Sequence, residues 1–505
     1  MSIMGLDVGT SGCKATIINA DGSCLGQASQ EYALQSPQPG WQELDPNDIW
    51  AAVRQVIRQA VAMAAAAPAA DPVRAIAVSS FGESVVAIDR DGQVLHNCLL
   101  YIDSRGRDEA AGLEASLGSD RVLAIAGTTI QPMYSLSKIL WLRKHRPDVD
   151  CRIWKYLLIA DFILYRLGAR PHTDYSLAAR TMAFDITAKQ WSGEILAAAG
   201  IDPARFADPV QAGTPVGEID PSIAAALGLP RQATLVAGGH DQPCAALGAG
   251  ANRAGLAVDG LGTTECITPV YDRPILSAAM AGSGYACVPH VLRDLYVTYA
   301  FTFTSGSILK WYRNNFGAAW QAEATRLGVN AYDLMIDRAM AGPDPSPVLL
   351  LPHFAGAATP YMDTSAQGAI LGLTIDTTAR DILKAVLEGI TFEIMINLER
   401  LSAAGIQIDE LRSVGGLARS ETFLQLKADM MGKPITSLEY AEAGTIGVAI
   451  LAGTAVGIFS SIEDGIASLV RPRRTFYPRE AIHRRYQERF AIYKRIYPAV
   501  RDIIC

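Results

Sequence analysis

Residues 2–18 read SIMGLDVGTSGCKATII, in which two apolar runs flank a turn rich in glycine and hydroxyl side chains. The runs at residues 2–7 and 13–18 predict β-strands, and residues 8–12 predict the tight turn that joins them. Asp7 ends the first strand, beside backbone N–H and hydroxyl groups that can bind a phosphate. Its carboxylate can also hold Mg²⁺ through water. This segment alone leaves open a plain hairpin turn with a capping aspartate.

A second strand–turn–strand pattern lies near the start of the other half of the chain, where residues 256–270 read LAVDGLGTTECITPV. Two similar hairpins indicate a duplicated architecture, with two domains facing each other across a cleft. Helical periodicity at residues 48–64, 135–145, 304–315 and 379–404 alternates with apolar strand runs, which predicts an α/β fold. The prolines within residues 205–235 predict the seam between the two halves.

Composition excludes several classes of protein. The 505 residues exceed the size of a single hydrophobic core, and the net charge of −7 argues against a nucleic acid or an anionic membrane surface as the main partner. No apolar run approaches the roughly 18 residues of a spanning helix. The eight cysteines show no metal-binding spacing. Because the N-terminus leads directly into a strand, without a signal pattern, we expect a cytoplasmic protein with reduced thiols.

Residues 235–248 read LVAGGHDQPCAALG, which predicts a strand, a glycine pair and then a helix. Asp241 therefore lies at a strand-to-helix junction, where α/β folds place catalytic groups. A carboxylate there can accept a proton from a substrate hydroxyl. A helix N-cap is the alternative role left open for Asp241. His240 is expected to be a structural histidine rather than a base.

Two further glycine turns carry the same chemistry. Residues 260–264, GLGTT, form a second candidate cradle for phosphate, and residues 413–420, SVGGLARS, again lie between a strand and a helix. Helix N-termini favour anions and the close approach of a ligand. Four such turns at strand ends, distributed over both halves, indicate one shared ligand site.

The content and order of these motifs resemble the FGGY family of carbohydrate kinases, within the larger actin-like ATPase group. The resemblance covers nearly the whole chain and includes residues 133–142, 367–374 and 442–447. It implies an α/β fold of two actin-like ATPase (ribonuclease H-like) domains that face each other across a cleft. Residues 1–243 would form the sugar-binding domain and residues 244–505 the nucleotide-binding domain.

The resemblance also implies roles for individual residues. Asp241 would be the general base, and Asp7 and Asp241 would hold Mg²⁺, largely through water. The implied nucleotide-binding residues are Thr10, Ser11 and Lys14 at the β- and γ-phosphates, Gly262, Thr263, Gly306 and Lys310 along the triphosphate, and Gly415, Gly416 and Ser420 at the adenosine. ATP and Mg²⁺ are the expected cofactors. Phosphoryl transfer needs mainly positioning and charge neutralisation, with a base for the nucleophile, which agrees with these residue types.

The substrate side departs from the patterns of the family. Gly82 and Glu83 stand where xylulokinase-like members carry Met-His and glycerol-kinase-like members carry Arg-Glu. Glu83, Asp241 and Gln242 can accept or bridge vicinal hydroxyls, which suits a sugar or polyol. Gly82 in place of arginine is expected to leave room for a chain longer than glycerol.

Two more segments bear on the substrate and on catalytic competence. Asp103 and Arg105 resemble a substrate-side Asp-x-Arg of pentulose kinases, so we predict that they bind the substrate. Residues 356–358 read Gly-Ala-Ala where many members have Gly-Glu-Arg, which removes a structural ion pair or an interdomain contact.

We therefore expect an ATP-dependent carbohydrate kinase that phosphorylates a primary hydroxyl of a small sugar, with a ketopentose such as xylulose or ribulose favoured. A glycerol- or erythritol-type polyol kinase is the alternative within enzymes. A non-catalytic sugar or ATP sensor of the same fold is the alternative from another class. The expected partners are the small sugar or polyol and ATP, with no nucleic acid and no membrane, and a homodimer is left open.

Overall fold

The computed structural model of the chain describes residues 1–67, 71–439 and 442–504. The strands are β1 (Ser2–Val8), β2 (Gly12–Asn19), β3 (Cys24–Glu31), β4 (Glu43–Leu44), β5 (Val73–Ser80), β6 (Val85–Ile88), β7 (Cys98–Leu99), β8 (Lys155–Leu158), β9 (His172–Asp174), β10 (Phe184–Asp185), β11 (Gln190–Trp191), β12 (Asp208–Val210), β13 (Pro215–Glu218), β14 (Thr234–His240), β15 (Gly255–Leu261), β16 (Glu265–Tyr271), β17 (Val288–Pro289), β18 (Tyr296–Val297), β19 (Ala300–Thr302), β20 (Leu349–Leu351), β21 (Ala369–Leu371), β22 (Ile408–Val414), β23 (Ile435–Leu438) and β24 (Pro472–Phe476).

The helices are α1 (Pro46–Ala65), α2 (Arg107–Ser116), α3 (Ser119–Ala126), α4 (Ser135–His145), α5 (Pro147–Asp150), α6 (Ile159–Leu167), α7 (Tyr175–Ala179), α8 (Gly193–Ala198), α9 (Pro221–Leu227), α10 (Asp241–Gly248), α11 (Ala278–Gly282), α12 (Gly306–Phe316), α13 (Ala318–Leu327), α14 (Ala331–Met340), α15 (Ala379–Ala403), α16 (Glu421–Met431), α17 (Ala443–Ala455), α18 (Ile462–Leu469), α19 (Glu480–Tyr493) and α20 (Ile496–Ile504). The four helices predicted from periodicity correspond to α1, α4, α12 and α15. Within the described residues, no helix combines the length and the apolar character that crossing a membrane requires.

The N-terminal sheet has the strand order β13-β14-β5-β1-β2-β3. Strand β1 pairs antiparallel with β2, as the predicted hairpin requires, and parallel with β5. Strand β14 pairs parallel with the other side of β5, so that His240 is opposite Ser80. Because the carboxyl ends of parallel strands meet at one edge of a sheet, Asp7 and Asp241 emerge at the same edge.

The C-terminal sheet repeats this arrangement. Its strand order is β17-β18-β16-β15-β22-β23-β24, with β19 also paired to β16. The hairpin β15–β16 matches the predicted second hairpin, and β22 runs parallel to β15 as β5 does to β1. The Gly/Thr turn at residues 262–264 and the glycine turn at residues 415–416 therefore leave neighbouring strands at one sheet edge.

The predicted seam at residues 205–235 is wrong. Strand β13 lies within this stretch and pairs antiparallel with β14, which makes it the edge strand of the N-terminal sheet. Proline lacks the N–H group that a residue in a central strand must donate, but an edge strand tolerates proline. Pro215 therefore lies in the edge strand of a sheet and does not mark a linker between domains.

Helices α10 and α17 cross at backbone contact. A Cβ on Gly248 would lie 1.8 Å from the Ala443 carbonyl oxygen, and one on Gly447 would lie 1.9 Å from the Cys244 carbonyl oxygen. Although α17 comes from the C-terminal half of the sequence, its apolar residues share one buried cluster with Ile3 and other residues of the N-terminal sheet. Helix α17 therefore links the two sheets. The predicted boundary between the two domains at residue 243 stays a prediction.

We expect Gly447→Ala to lower the free energy of unfolding by about 3 kcal/mol or more, because its Cβ would collide with backbone that cannot yield. Chemical denaturation measures this change. Gly112→Ala is the matched control: this helical glycine in α2 is exposed, and an added Cβ meets nothing within 4 Å. The control should change stability by about 1 kcal/mol or less, in the stabilising direction. Equal effects of the two substitutions would show that the helix crossing is not tightly packed.

Candidate active site

Asp7 lies near the end of β1, where the parallel strand β5 places Ser79 beside it. Ser79 Oγ donates a hydrogen bond to Asp7 Oδ1 at 2.8 Å. Burial raises the pKa of Asp7, and the bond from Ser79 partly offsets that rise. The first turn of α17 approaches so closely that a Cβ on Gly444 would lie 3.3 Å from the Asp7 carboxylate. Asp7 is therefore a fixed acidic group between the first hairpin and the linking helix.

Asp241 is positioned by the irregular end of β14. The register of β14 against β5 shifts between Val236 and Gly239. A Cβ on Gly238 would lie 1.9 Å from a backbone oxygen of β5, so only glycine fits there. The backbone N–H of His240 donates to Ser176 Oγ at 2.9 Å, and Ser176 Oγ in turn donates to a buried carboxylate at the start of α7. These contacts fix the strand end from which Asp241 projects.

The side chain of Asp241 is not used to cap its helix. His240 occupies the N-cap position of α10, so the N-cap alternative for Asp241 is wrong. Its Oδ1 atom receives no hydrogen bond from any described residue, although His240 Nε2 lies 3.3 Å from it, and the side chain is 35% exposed. Burial, and then the charges of Asp7 and Glu83, raise the pKa of Asp241 to about 8. An unsatisfied carboxylate oxygen repelled by another carboxylate fits a bound cation, so Asp7 and Asp241 suit Mg²⁺.

Both sequence neighbours of Asp241 are held by other elements. His240 lies 3.0 Å from Tyr299 Oη through Nδ1, and its pKa is lowered well below its usual value by burial and a nearby guanidinium. A neutral, hydrogen-bonded ring agrees with the structural role expected for this histidine. Thr268 of β16 donates a long hydrogen bond of 3.5 Å to Gln242 Oε1. Gln242 therefore faces the C-terminal half of the molecule.

Glu83 is paired with an arginine that the sequence motifs do not reveal. Arg180, just after α7, donates from Nε to Glu83 Oε1 at 2.6 Å, and its Nη2 contacts the same oxygen. Both side chains are buried, and the guanidinium lies 5.1 Å from the Tyr134 ring centroid and 5.4 Å from that of Tyr299. Glu83 itself has a φ of 65°, a strained conformation for a residue with a side chain.

Gly82 does not leave room for a longer substrate. A Cβ added to Gly82 would lie 2.8 Å from Arg180 Cγ and 2.9 Å from His240 Cδ2. The space that glycine vacates is thus filled by the arginine stem and the histidine ring, and the expectation of a roomier site there is wrong. A sequence pattern could not reveal this, because Arg180 lies 97 residues from Glu83.

Asp103 and Arg105 form ion pairs and hydrogen bonds with each other and with neighbouring residues in a structural network. Arg105 forms two hydrogen bonds with the Asp103 carboxylate and an ion pair with Glu43, and these side chains are almost completely buried. The Lys138 ammonium donates to the backbone oxygens of both Asp103 and Arg105 at 2.6 Å. Their geometry does not support the prediction that they bind substrate, because their charged atoms already have partners.

A large cavity in the C-terminal half collects most of the predicted nucleotide residues. It has a volume of about 680 Å³ and is lined by Leu261, Gly262, Thr263, Gly306, Ser307, Leu309, Lys310, Asn330, Tyr332, Asp333, Ile336, Gly416, Leu417, Arg419 and Ser420. Gly415 lies directly behind this lining, with a φ of 100° that favours glycine. The residues of α14 were missed by the motifs, because they belong to no glycine turn, and Arg419 lies within the third glycine turn but was given no role.

The first hairpin turn lies apart from that cavity and carries Thr10, Ser11 and Lys14. The Gly9 N–H donates to the Gly12 carbonyl oxygen at 2.9 Å and closes the turn. The Lys14 ammonium forms a 2.5 Å ion pair with Glu442, next to the start of α17. The pair is part-exposed, so a phosphate could compete with Glu442 for the lysine.

The second hairpin turn rests on a buried ionic triad that the motifs also missed. Lys427 of α16 lies 2.9 Å from Asp259 and pairs with Glu265, and all three side chains have no exposed surface. Ser305, directly before α12, donates to Glu265 at 3.3 Å. Lys427 thereby ties together the strands and the helix start that border the cavity.

Residues 356–358 form a buried turn without the Glu-Arg pair of many family members. Ala357 exchanges two backbone hydrogen bonds of 2.8 and 2.9 Å with Asp363. Behind the turn, His353 and Glu393 lie 3.1 Å apart and are buried. Backbone pairing and this contact therefore hold the segment in place.

Comparisons with known proteins agree with this geometry. The chain matches the models of the FGGY family of carbohydrate kinases, N-terminal domain over residues 2–248 and C-terminal domain over residues 260–456. It is 29% identical to a xylulose kinase of Bacillus subtilis (strain 168), covering 99% of this chain and 97% of the relative. It is 31% identical to a glycerol kinase of Ralstonia nicotianae, covering 97% of each. A crystal structure of a xyloylose kinase from Brucella ovis superposes over the full length of both chains, with a TM-score of 0.86 and 28% identity. These findings confirm the predicted family resemblance and the two-domain fold.

We expect Asp241→Asn to stabilise the metal-free protein at alkaline pH. The pKa of Asp241 is about 8 in the folded state and 3.8 ordinarily, so the folded state binds more protons. The stability that this group contributes is full below about pH 4 and is lost as the pH rises through about 8. The Tm of the variant should exceed that of the wild type at about pH 9, and the difference should shrink towards about pH 5.

Thermal unfolding in the presence of a chelator measures this difference. Asp108→Asn, at an exposed position in the first turn of α2, is the control and should show no such gain. Identical pH profiles of Asp241→Asn and the wild type would contradict the raised pKa.

Proposed function

The chain belongs to the FGGY family of carbohydrate kinases, and on that premise we propose that it transfers the γ-phosphoryl group of ATP to a primary hydroxyl of a ketopentose such as xylulose or ribulose. As a member of this family the protein is an ATP:sugar phosphotransferase. The observation that carries the proposal is the Asp241 carboxylate, which is partly exposed near Asp7 and whose Oδ1 atom receives no hydrogen bond from a described residue. The xylulose kinase relatives support the ketopentose.

In the proposed mechanism, Asp241 accepts the proton of the attacking hydroxyl. Its raised pKa makes it a competent base near neutral pH, since a base works best when its pKa is close to the operating pH. The fixed strand end before Asp241 and the start of α10 hold the carboxylate in one orientation. Glu83 and Gln242 would orient the remaining hydroxyls of the sugar.

Asp7 and Asp241 are the residues that would hold Mg²⁺, which neutralises phosphate charge when bound with ATP. The cavity residues Gly262, Thr263, Gly306 and Lys310 would border the triphosphate, and Gly415, Gly416 and Ser420 the adenosine. Thr10, Ser11 and Lys14 would contact the terminal phosphates, with Lys14 exchanging Glu442 for phosphate. A homodimer and a cytoplasmic location stay predictions.

A polyol such as glycerol or erythritol is the second candidate substrate. Glu83 and Gln242 favour it, because they match the glycerol-kinase pattern, and so does the glycerol kinase relative. A non-catalytic sensor is disfavoured by Asp241, because a protein that only binds sugar has no need of a base beside the acceptor hydroxyl.

A panel of acceptors with ATP tests the proposed substrate. We expect the highest kcat/KM with D-xylulose or D-ribulose, and lower values with erythritol and glycerol, in a coupled assay of ADP release. Turnover of the polyols without turnover of any ketose would reverse this order. No turnover with any acceptor would favour the sensor.

Asp241→Asn tests the assignment of the base. We expect kcat to fall by about 10²- to 10⁴-fold, because an amide cannot accept the proton, while the sugar still binds. Calorimetric titration of the sugar separates loss of chemistry from loss of binding. Wild-type turnover by this variant would disprove the role of Asp241.

Gly416→Leu tests the nucleotide cavity. A Cβ at this position meets nothing within 4 Å and Gly416 has helical φ and ψ, so the new side chain fits without strain and enters open space at the cavity. We expect the KM for ATP to rise about tenfold or more, with the KM for sugar unchanged. Gly193→Leu, at another open position, is the control and should leave both values as they are. An unchanged KM for ATP in the Gly416 variant would place the adenosine elsewhere.

A further inference from the structure

A cation at the acceptor end of the cleft, Arg180, belongs to no motif of the sequence. The guanidinium of Arg180 reaches Glu83 through Nε and Nη2, and both contacts go to Oε1. Among the described residues, none donates a hydrogen bond to the other oxygen, Oε2, which stays available as an acceptor. The third nitrogen of the fork, Nη1 of Arg180, is likewise outside the pair and can donate.

Several contacts keep this pair in one geometry. The stem of Arg180 fills the space over Gly82, and the guanidinium lies close to the rings of Tyr134 and Tyr299. Ser135 Oγ donates to the Glu83 carbonyl oxygen at 2.6 Å, which holds that residue in its left-handed conformation. A strained backbone kept in place by its surroundings is a common feature of ligand sites.

The charge balance at this end of the cleft is negative. The charged groups that act on Asp241 are Asp7, Glu83 and Arg180, so that with Asp241 itself this region holds three carboxylates and one guanidinium. Arg180 is already matched by Glu83 at contact distance. Among the described residues, the guanidinium that acts on Asp241 is therefore already neutralised, which disfavours an anionic acceptor, whereas the atoms Oε2 and Nη1 suit neutral hydroxyl groups.

We propose that the Arg180–Glu83 ion pair is the selectivity device of the acceptor site: it binds hydroxyl groups of a neutral sugar or polyol and rejects aldonates. Glu83 accepts from the acceptor's hydroxyls, and Arg180 holds Glu83 while its own charge stays neutralised. This inference rests on the proposed kinase function, and it narrows the substrate to uncharged polyhydroxy compounds.

Two variants test the pair, with D-xylulose and erythritol as neutral acceptors and D-gluconate as the aldonate. Glu83→Gln removes the negative charge but keeps the shape, so Arg180 becomes an unmatched cation. We expect kcat/KM for the neutral acceptors to fall by about tenfold or more. The ratio of kcat/KM for gluconate to kcat/KM for a neutral acceptor should rise by about 10- to 100-fold.

Arg180→Met leaves Glu83 without its partner, so kcat/KM for neutral acceptors should fall by about 100-fold. The fall should come mainly from a higher KM for sugar, with the KM for ATP unchanged.

Lys384→Met is the control, because the buried Lys384 forms an ion pair with the partly exposed Asp344 in another part of the molecule. It should lower Tm without changing the order of acceptors. Arg180→Lys keeps the charge and should recover part of the loss seen in Arg180→Met.

Calorimetric binding of each acceptor without ATP gives the same ranking independently of turnover. Wild-type preference for gluconate, in turnover or binding, would overturn the proposal. Two other outcomes would also overturn it, because a purely structural ion pair would produce them. One is an equal fall in kcat/KM for neutral and acidic acceptors in both Glu83→Gln and Arg180→Met. The other is a change in Tm without any change in kcat/KM. If neutral acceptors bind in the proposed order but none is phosphorylated, the kinase function fails and the selectivity stands.

Discussion

Repulsion between carboxylates organises the cleft. Asp7 and Asp241 come from the ends of two strands that flank β5, and burial, Asp7 and Glu83 together raise the cost of ionising Asp241. The surrounding elements hold Asp7 and Asp241 in place, whereas Glu83 is neutralised by Arg180. Such an arrangement is unfavourable for the isolated chain and becomes favourable when a cation and a substrate proton are present. The fold therefore loses some conformational stability at the site where catalysis requires unneutralised carboxylates.

Glycine allows the two halves to meet closely enough for this arrangement. Where α10 crosses α17, the backbones touch at Gly248 and Gly447, and Gly444 brings the start of α17 against Asp7. The same helix α10 begins with Asp241. The contact that joins the two sheets is thus continuous with the catalytic carboxylate, so any movement of the halves about this crossing would also move Asp241 relative to the nucleotide cavity.

Buried ion pairs serve different purposes in the two halves. Lys427 sits between two carboxylates beneath the second hairpin turn and supports the cavity wall from behind. Arg180 is also buried, but it lies beside the acceptor end of the cleft and leaves atoms of the pair available. Burial of a charge is costly unless it is paired, so both lysine and arginine are matched by carboxylates at contact distance. Only the position of each pair relative to the cleft separates a supporting role from a selective one.

Much of the fold was predictable from short-range patterns. Both hairpins, the helix periodicities and the strand that ends at Asp241 follow from apolar spacing and glycine turns, which are local properties of the chain. The prediction of a seam at the proline-rich stretch was wrong because it also used only local sequence. Pro215 marks a break in backbone hydrogen bonding, and local sequence does not distinguish an edge strand from a linker.

The sequence by itself determined which residue types could bind phosphate, a cation and hydroxyl groups, because those capacities belong to the side chains and their turns. Only the tertiary structure decided how they are used. Asp103 and Arg105 became a closed network with Lys138, the space at Gly82 was filled by Arg180, and Arg180 joined Glu83 from 97 residues away. Partner choice among charged side chains depends on distances across the fold, and a linear pattern contains no such distances.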